Sequence, residues 1–385
     1  ARSAEQSGQI LCVVVFDKTL PIATMPEVLD LCDQVPIACH AWNGDRTQIA
    51  LSPNSTEVNI YQKVGKTFEL KHVLKGHGQR VRGVDWAPKS NQIVTCGDDR
   101  NAYVWTQQDD GTWKPMLVLL RINRAATCVK WSPNESKFAV GCGARLISVC
   151  YFEKEQNWWV SKHIKKPIQS TVLSLDWHPN NCLLVAGSAD FKCRVYSGYV
   201  KEIEDKPTPT SWGKKMPFGN LMAEFANGRG GWVHSVSFSP NGEKVCWVGH
   251  NSSITVADSA SDNQITVVEG NHLPLLSVTF LSDKSILAAG HDCSPMLFDV
   301  SGTDIKFKKR LDEAGPKKAA GGVSAMDKFR NMDAKGTDSK TQGTVLTTTH
   351  QNAISAIVIH TGDKASGVKK ISTSGNDGLL VTWDV

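Results

Sequence analysis

Two stretches of the sequence share one pattern: Val81-Arg82-Gly83-Val84-Asp85-Trp86-Ala87-Pro88 and Val172-Leu173-Ser174-Leu175-Asp176-Trp177-His178-Pro179. In both, apolar residues recur with a period of two up to a tryptophan, which predicts a strand with one face in a core. The proline that follows has a φ angle suited to the second position of a tight turn. Each stretch therefore predicts a β-strand followed by a turn.

This strand-and-turn pattern occurs seven times along the chain, which indicates a repeat architecture. The other copies are marked by Trp42, Trp131-Ser132-Pro133, Phe238-Ser239-Pro240, Phe280 and, more weakly, Ile354 to Ile359. The aromatic markers advance by 44, 45 and 46 residues over the first four copies. This spacing is close to the period of about 40–45 residues in WD repeats, which have four strands per blade. The sequence thus predicts an all-β fold, a seven-bladed WD-repeat β-propeller over residues 25–385.

An aspartate recurs at the turn after the second strand of four repeats, and the closing aromatic of the repeat follows six residues later. A buried turn carboxylate can accept several hydrogen bonds at once and so connect neighbouring strands. We therefore assign a structural role to Asp99, Asp190, Asp292 and Asp377. Where Ser55, Ala144 and Asn251 replace the aspartate, we expect the blade to depend more on packing.

The last blade lacks an outer strand, because the chain reaches Val385 directly after the third strand of that blade. A propeller has to close without leaving an exposed sheet edge. We expect the segment from Val28 to Val35, ahead of the first blade, to supply the missing strand. Residues 1–24 fit none of the repeats and are an extension of unknown status.

Two additions interrupt the repeat period. Residues 201–231 include Pro207, Pro209 and Trp212, and predict an ordered loop before an outer strand near Phe218 to Phe225. Residues 312–347 lie between blades 6 and 7 and are polar and rich in glycine, lysine and alanine. Within this second addition, a capping pattern at Ser324 and a stop at Gly336 predict a short helix over residues 325–334.

Three apolar side chains share one side of this predicted helix: Met326, Phe329 and Met332. A helix of about ten residues is not stable alone in water. Two alternatives remain open for its apolar side. It packs back on its own propeller, or it presents an apolar contact surface to a partner protein.

Composition gives little support to several functional classes. The net charge of +5 and the pI near 8.6 are mild, and the basic residues are scattered among 38 acidic ones, which argues against nucleic-acid binding. The eleven cysteines suggest buried, reduced thiols in a cytosolic protein. Ile10 to Phe16 is too short an apolar run to span a membrane. Because no zinc-ligand spacing, P-loop or catalytic serine motif occurs, we expect no metal, no cofactor and no enzymatic activity.

Longer phrases go beyond the generic repeat: Arg121 to Thr127, Trp158 to Pro167, Ser170 to Asn181, Lys215 to Gly219 and Ala325 to Asp333. In these phrases the chain resembles the WD-repeat subunit, subunit 1, of the actin-related protein 2/3 complex. The resemblance covers nearly everything from about residue 36 onward. It implies a non-catalytic scaffold in an assembly that starts a new actin branch on the side of an existing filament.

The same resemblance implies the partners: the actin-related proteins and other subunits, the actin filament, and the acidic tails of nucleation-promoting factors. The helix with Met326, Phe329 and Met332 would extend toward the filament. The implied location is the cytoplasm, at the actin cytoskeleton of the cell cortex and leading edge, with the nucleus as a second location. The fold alone suits an alternative equally well, a WD-repeat adaptor of a ubiquitin ligase or a chromatin complex.

A basic cluster is the candidate site for the acidic tails. Lys162, Lys165 and Lys166 lie close together in sequence, and we expect Arg121 and Arg124 to be their neighbours in space. An exposed cationic patch attracts an acidic segment and favours complementary docking. The alternative, ordinary solvated lysines on loops and strand edges, remains open.

Overall fold

The structure is a computed structural model that describes residues 26–228, 230–302, 304–312 and 346–385. The strands within these residues form seven antiparallel sheets of four strands each. This arrangement confirms the predicted seven-bladed β-propeller. The predicted helix over 325–334, with Met326, Phe329 and Met332, lies outside the described residues.

In blades 1 to 3, consecutive strands are neighbours, from the innermost to the outermost. Blade 1 comprises β2 (Cys39–Trp42), β3 (Gln48–Ser52), β4 (Glu57–Val64) and β5 (Thr67–Lys75). Blade 2 comprises β6 (Val81–Trp86), β7 (Ile93–Gly97), β8 (Ala102–Gln107) and β9 (Trp113–Val118). Blade 3 comprises β10 (Ala126–Trp131), β11 (Lys137–Cys142), β12 (Leu146–Glu153) and β13 (Trp158–Ile164).

Blades 4 to 6 repeat this order. Blade 4 comprises β14 (Val172–Trp177), β15 (Leu183–Ser188), β16 (Lys192–Ser197) and β17 (Leu221–Ala226). Blade 5 comprises β18 (Val233–Phe238), β19 (Lys244–Gly249), β20 (Ser253–Asp258) and β21 (Gln264–Glu269), with a 3-10 turn at Ser259–Ser261. Blade 6 comprises β22 (Leu275–Ser282), β23 (Ser285–Gly290), β24 (Met296–Ser301) and β25 (Asp304–Arg310).

Blade 7 is built from both ends of the described chain. Its inner strands are β26 (Ile354–Asp363), β27 (Gly367–Gly375) and β28 (Leu379–Asp384), and its outer strand is β1 (Glu27–Asp30). The register pairs Glu27 with Thr382 and Asp30 with Leu379. The predicted closure by an N-terminal strand is therefore confirmed, although the strand is shorter than the segment 28–35. The chain leaves the sheet after Asp30 and turns at Asp33 and Gln34, whose φ angles are positive, 49° and 63°.

The hydrophobic core lies between the blades rather than inside them. In the described residues, each of the seven apolar clusters joins side chains from two adjacent blades. Between blades 2 and 3, for example, Val94 and Cys96 share a cluster with Trp131 and Phe138. The marker aromatics are placed for this role because they end the innermost strands with their side chains buried. Each blade is thus stabilised mainly by its two neighbours.

Blades 7 and 1 are joined by a buried polar contact as well as by apolar packing. The two ring nitrogens of His40 in β2 each lie 2.9 Å from a serine hydroxyl of β27, Ser374 for Nδ1 and Ser372 for Nε2. Trp42 Nε1 also donates to Ser372 Oγ at 2.9 Å. Burial, with smaller contributions from Lys130, His360 and His350, lowers the pKa of His40 to about 3. The imidazole is therefore neutral at neutral pH.

The chain between β16 and β17, which falls in the predicted addition 201–231, is packed against the propeller. Glu204 accepts hydrogen bonds from the fully buried ammonium group of Lys137 in blade 3 and from Asn181 in blade 4. Trp212 is buried and donates from Nε1 to the carbonyl of Gly242 at 2.7 Å. The addition therefore supplies the carboxylate that neutralises the buried ammonium group of Lys137.

Candidate functional site

The turn aspartate of blade 2 is the last acceptor in a chain of buried hydrogen bonds. Trp105 Nε1 donates to Thr95 Oγ1 at 3.0 Å, and Thr95 Oγ1 lies 2.8 Å from His77 Nε2. His77 Nδ1 donates to the Asp99 carboxylate at 3.0 Å, and the Gly78 backbone N–H donates to it at 3.1 Å. Burial lowers the pKa of His77 in spite of Asp99. This geometry connects the second and third strands of the blade, and the turn between them, to the loop before the first strand.

Blade 7 contains the same chain of contacts around Asp377. His350 Nδ1 donates to Asp377 at 3.0 Å, while Thr373 Oγ1 lies 2.8 Å from His350 Nε2 and accepts from Trp383 Nε1 at 2.8 Å. Burial alone would raise the pKa of Asp377, but hydrogen bonds from His350 and from two backbone N–H groups hold it below its ordinary value.

His350 does not fit the repeat pattern of His77, because no glycine precedes it and it lies 27 residues before its aspartate, against 22 for His77. The hairpin between β26 and β27 is long and accounts for the wider spacing. A search that allowed for this longer hairpin would have found the residue.

The other two turn aspartates have arginine partners in place of histidine. Asp190 accepts from Arg194 at 2.8 Å and from the Gln169 backbone N–H at 2.9 Å. Asp292 accepts from the Leu273 backbone N–H at 2.8 Å and from Arg310 at 3.4 Å. All four carboxylates thus accept hydrogen bonds within their own sheet and the loop before it, which is the bonding expected of structural groups.

A basic pocket of about 510 Å³ opens at one end of blade 3. Its lining comprises Arg121, Ile122, Asn123, Ala144, Arg145, Leu146, Lys165 and Ile168. Three of these side chains are cations and none is a carboxylate. The loop before β10, the turn between β11 and β12, and the loop after β13 meet here because they lie at the same end of the sheet.

Arg121 is fixed in the pocket by contacts to the outer strand of blade 3. Its guanidinium donates to the Ser161 hydroxyl at 3.3 Å and to the Ser161 carbonyl. The neighbouring His163 lies with Nε2 at 2.8 Å from the Leu120 carbonyl. Burial lowers the pKa of His163, and Arg121 and Lys165 lower it further, in keeping with a positive potential at this end of the blade.

The structure brings together only part of the predicted basic cluster. Arg121 and Lys165 line the pocket. Arg124 lies beside it, next to Gly143, which precedes Ala144 of the lining: a Cβ atom placed on Gly143 would lie 3.3 Å from Arg124 Cβ. Lys166 is exposed but does not line the pocket. Lys162 does not line it either.

Lys162 is held elsewhere because it has partners of its own. Its ammonium group pairs with Glu202 at 3.1 Å and lies over the Phe218 ring at 5.1 Å. Both partners belong to the predicted addition 201–231. Lys162 therefore contributes to the contact between blade 3 and the addition rather than to the pocket.

Arg145 is a pocket residue that the sequence analysis missed. It is exposed, has a φ angle of 59°, and lies at the turn where Ala144 replaces the repeat's aspartate. In a propeller this turn and the loop before the first strand share one end of the blade, so the repeat alignment contained the signal. A cluster defined by closeness in sequence does not include Arg145, because Arg145 is far along the chain from both Arg121 and Lys165.

The residues that the structure describes also bear on metal sites, on reactive thiols and on helices that could span a membrane. These residues contain no group of three or more His, Cys, Asp or Glu side chains placed to hold a metal ion. The cysteines among them are free and mostly buried, and burial raises the pKa of the Cys39 thiol to about 12. Across the same residues, none of the helices has the length and apolar character needed to cross a bilayer.

Fold and sequence define this chain as a WD-repeat β-propeller. The family model described as WD domain, G-beta repeat matches residues 68–106 and 161–197, which fall in blades 1 and 2 and in blades 3 and 4. Blades of this kind form a rigid platform for binding other proteins, and the basic pocket lies at one end of such a platform.

Curated relatives narrow the class to one family. The chain is 58% identical over 353 residues to actin-related protein 2/3 complex subunit 1A-A of Xenopus laevis, covering 91% of this chain and 94% of the relative. It is 44% identical over 365 residues to subunit 1 of the same complex in Schizosaccharomyces pombe, covering 89% of this chain and 95% of the relative. It is 40% identical over 360 residues to subunit 1B of the complex in Arabidopsis thaliana, covering 91% of this chain and 94% of the relative.

This chain therefore belongs to the family of actin-related protein 2/3 complex subunit 1, a non-catalytic WD-repeat family. The other subunits of that complex are its partners, and it is a cytoskeletal protein. These relatives favour the first hypothesis from the sequence over an adaptor of a ubiquitin ligase or a chromatin complex.

Proposed function

We propose that this subunit is a scaffold in which the basic pocket binds the acidic tails of nucleation-promoting factors. The observation that carries the proposal is the set of three cations, Arg121, Arg145 and Lys165, around one open cavity whose lining has no carboxylate. Because no acidic side chain of the lining neutralises them, these cations are available to carboxylates of another chain.

The shape of the pocket supports the same proposal. Ile122, Leu146 and Ile168 give it apolar walls beside the cations. Charge–charge attraction is stronger next to such walls than in open water, because they exclude part of the solvent. A peptide that has carboxylates and one apolar side chain is complementary to both parts of the lining.

Charge reversal tests the pocket directly. The double variant Arg145→Glu/Lys165→Glu should bind a fluorescent peptide of an acidic activator tail about tenfold more weakly or worse, since each exposed pair contributes up to about 1 kcal/mol and reversal adds repulsion. The loss should be larger at low salt, because screening weakens exposed charge pairs. Fluorescence anisotropy at two salt concentrations measures both effects.

The matched control is Lys66→Glu/Lys71→Glu, which changes net charge equally on the exposed outer part of blade 1. The control should keep most of the affinity. If both double variants lose affinity equally, net charge and not the pocket attracts the peptide. If the pocket variant binds as the unaltered chain does at both salt concentrations, the proposed site is wrong.

We further propose that Met326, Phe329 and Met332 contact the side of the existing actin filament, as the family resemblance implies. A central aromatic can contribute about 2 kcal/mol or more to such a contact. Phe329→Ala should leave the melting temperature and complex assembly unchanged, yet reduce filament binding and branch frequency. Normal branching with all three residues replaced by alanine would disprove this contact, as would a loss of propeller stability.

The expected sites of action follow from these two contacts. We infer that the protein works in the cytoplasm, at the actin cytoskeleton of the cell cortex and leading edge, with the nucleus as a second location. A fluorescently tagged chain should concentrate where branched actin forms. A tagged chain with both the pocket and the helix variants should remain in the complex but lose that enrichment.

A further inference from the structure

A second cavity lies at the opposite end of blade 3 from the basic pocket. It has a volume of about 620 Å³ and is lined at the turn between β10 and β11 and at the turn between β12 and β13. Successive turns of an antiparallel meander lie at opposite ends of the sheet, so these turns face away from the β11–β12 turn that carries Arg145. We call this cavity the acidic groove.

The charge of the acidic groove is opposite to that of the basic pocket. Four glutamates line it, Glu135, Glu153, Glu155 and Glu202, against one cation, Lys154. The whole chain has a net charge of +5, so a groove with this excess of carboxylates is a local departure from the rest of the molecule.

Two of the four carboxylates are already engaged. Glu135 accepts from the backbone N–H groups of Lys89 at 2.8 Å and Ser90 at 2.7 Å, which connects blade 3 to blade 2. Glu202 pairs with Lys162 at 3.1 Å. These contacts explain why two of the glutamates are present and leave the other two unexplained.

The side-chain carboxylates of Glu153 and Glu155 have no ion-pair or hydrogen-bond partner among the residues that the structure describes. Both lie at the turn between β12 and β13, and Glu155 is exposed. Without such a partner, neither carboxylate makes a contact that stabilises the turn. Their placement in a cavity therefore points to cations supplied by another molecule.

Part of the groove wall is apolar. Half-buried Met116 and Phe152 pack against the core between blades 2 and 3, and Trp159 forms part of that core. Half-buried Ile203 lines the groove from the side of blade 4. A ligand that fills the groove must therefore cover apolar side chains and bring positive charge to the turn at Glu153 and Glu155.

We propose that the acidic groove docks a basic amphipathic segment of a neighbouring protein chain. Charge complementarity selects Lys- or Arg-rich partners, and the walls formed by Met116, Phe152 and Ile203 select a segment with apolar side chains on one face. This contact is independent of the basic pocket, because the two cavities lie at opposite ends of blade 3. The same blade thus contacts an acidic chain at one end and a basic chain at the other.

A designed peptide tests the complementarity in the full chain. The probe is a fluorescent twelve-residue peptide with lysines on one helical face and leucines on the other, and a scrambled peptide of the same composition is its control. Glu153→Lys/Glu155→Lys should weaken binding of the amphipathic peptide about tenfold or more. The same variant should gain affinity for a version of the peptide with glutamates in place of lysines.

Glu69→Lys, an exposed charge change on β5, is the control for non-specific attraction. Equal losses for Glu153→Lys and Glu69→Lys overturn the proposal, as does equal binding of the scrambled peptide. The uncharged variant Glu153→Gln/Glu155→Gln should weaken binding of the amphipathic peptide but leave binding of the acidic-tail peptide unchanged, because it adds no cation; this keeps the outcome separate from that of the basic pocket.

A second measurement asks whether the groove is occupied in the complex. Amide hydrogen exchange of β8, β9 and the β12–β13 turn is compared between the isolated chain and the reconstituted actin-related protein 2/3 complex. We expect protection of this turn in the complex, and loss of that protection with Glu153→Lys/Glu155→Lys. A turn that exchanges equally fast in both samples shows an open groove and overturns the proposal.

Discussion

Blades 7 and 3 use the same turn in opposite ways. In blade 7 the turn between the second and third strands carries Asp377, whose carboxylate and histidine partner are 7% and 0% exposed. In blade 3 the equivalent turn carries Ala144 and Arg145, and Arg145 shares an open pocket with two other cations. A charge that is buried and fully bonded stabilises its own blade. Where the aspartate is missing, the cations at that end of the blade remain available to another chain.

The largest expected effect comes from breaking the blade 7 network. Asp377→Ala should lower the free energy of unfolding by about 3–5 kcal/mol, because it leaves the buried His350 ring and two backbone N–H groups without their acceptor. Chemical denaturation measures the change. Asp45→Ala, at an exposed turn, should change stability by less than about 0.5 kcal/mol. Similar losses in both variants would mean that burial does not distinguish these carboxylates.

A second prediction concerns pH and the buried imidazole between blades 7 and 1. The pKa of His40 is about 3 in the folded protein and 6.5 when exposed. Because the unfolded chain then binds more protons, the free energy of unfolding should fall as the pH drops below 6.5 and keep falling to about pH 3. At 1.36 kcal/mol per pH unit, the loss between pH 7 and pH 5 is about 2 kcal/mol.

His40→Gln is the variant that isolates this effect. Urea unfolding at pH 7 and pH 5 should show a smaller difference in the variant than in the unaltered chain. The other buried histidines with lowered pKa values, His178 among them, contribute the remainder. An identical pH dependence in both chains would show that His40 is not held neutral by the fold.

The outer strand of blade 7 gives the third prediction, because no other blade takes a strand from a distant part of the described chain. Deleting residues 26–30 removes β1, so the backbone N–H and C=O groups of β28 that pair with β1 lose their hydrogen-bond partners. Together with the lost contacts of half-buried Leu29, this should cost about 2 kcal/mol. The melting temperature should fall by about 1–2 °C for each kcal/mol lost, because the unfolding entropy grows with chain length. An unchanged melting temperature would mean that the strand adds nothing to ring closure.

The smallest effect is expected from a substitution that makes the blade 3 turn resemble the blade 7 turn. Ala144→Asp places a carboxylate beside Arg145 without a histidine partner to bury it. We expect a change in stability within about 0.5 kcal/mol. Binding of an acidic-tail peptide should weaken severalfold, because the new carboxylate competes for the cations. Ala144→Asn is the uncharged control, and an equal loss in both variants would assign the effect to size rather than charge.

The candidate pocket shows where sequence reasoning stopped. Arg121 and Lys165 were predicted to be neighbours, and the structure places both in one cavity. Lys162 was grouped with Lys165 because the two are close in sequence, yet it pairs with a carboxylate 40 residues away. Arg145 was omitted because its contribution depends on how the ends of the blade meet. Alternation along a strand separates sequence neighbours, and loops at one end of a sheet bring distant residues together.

The sequence by itself determined the number of blades, their strand order, the turn aspartates and the closing strand at the N-terminal side. These features depend on local periodicity and turn chemistry, which each repeat contains within its own residues. Only the tertiary structure decided which charges are neutralised. The partner of a charged side chain is chosen by distance in space and by burial, so the buried Lys137–Glu204 pair, the open basic pocket and the acidic groove appear only once the blades are assembled.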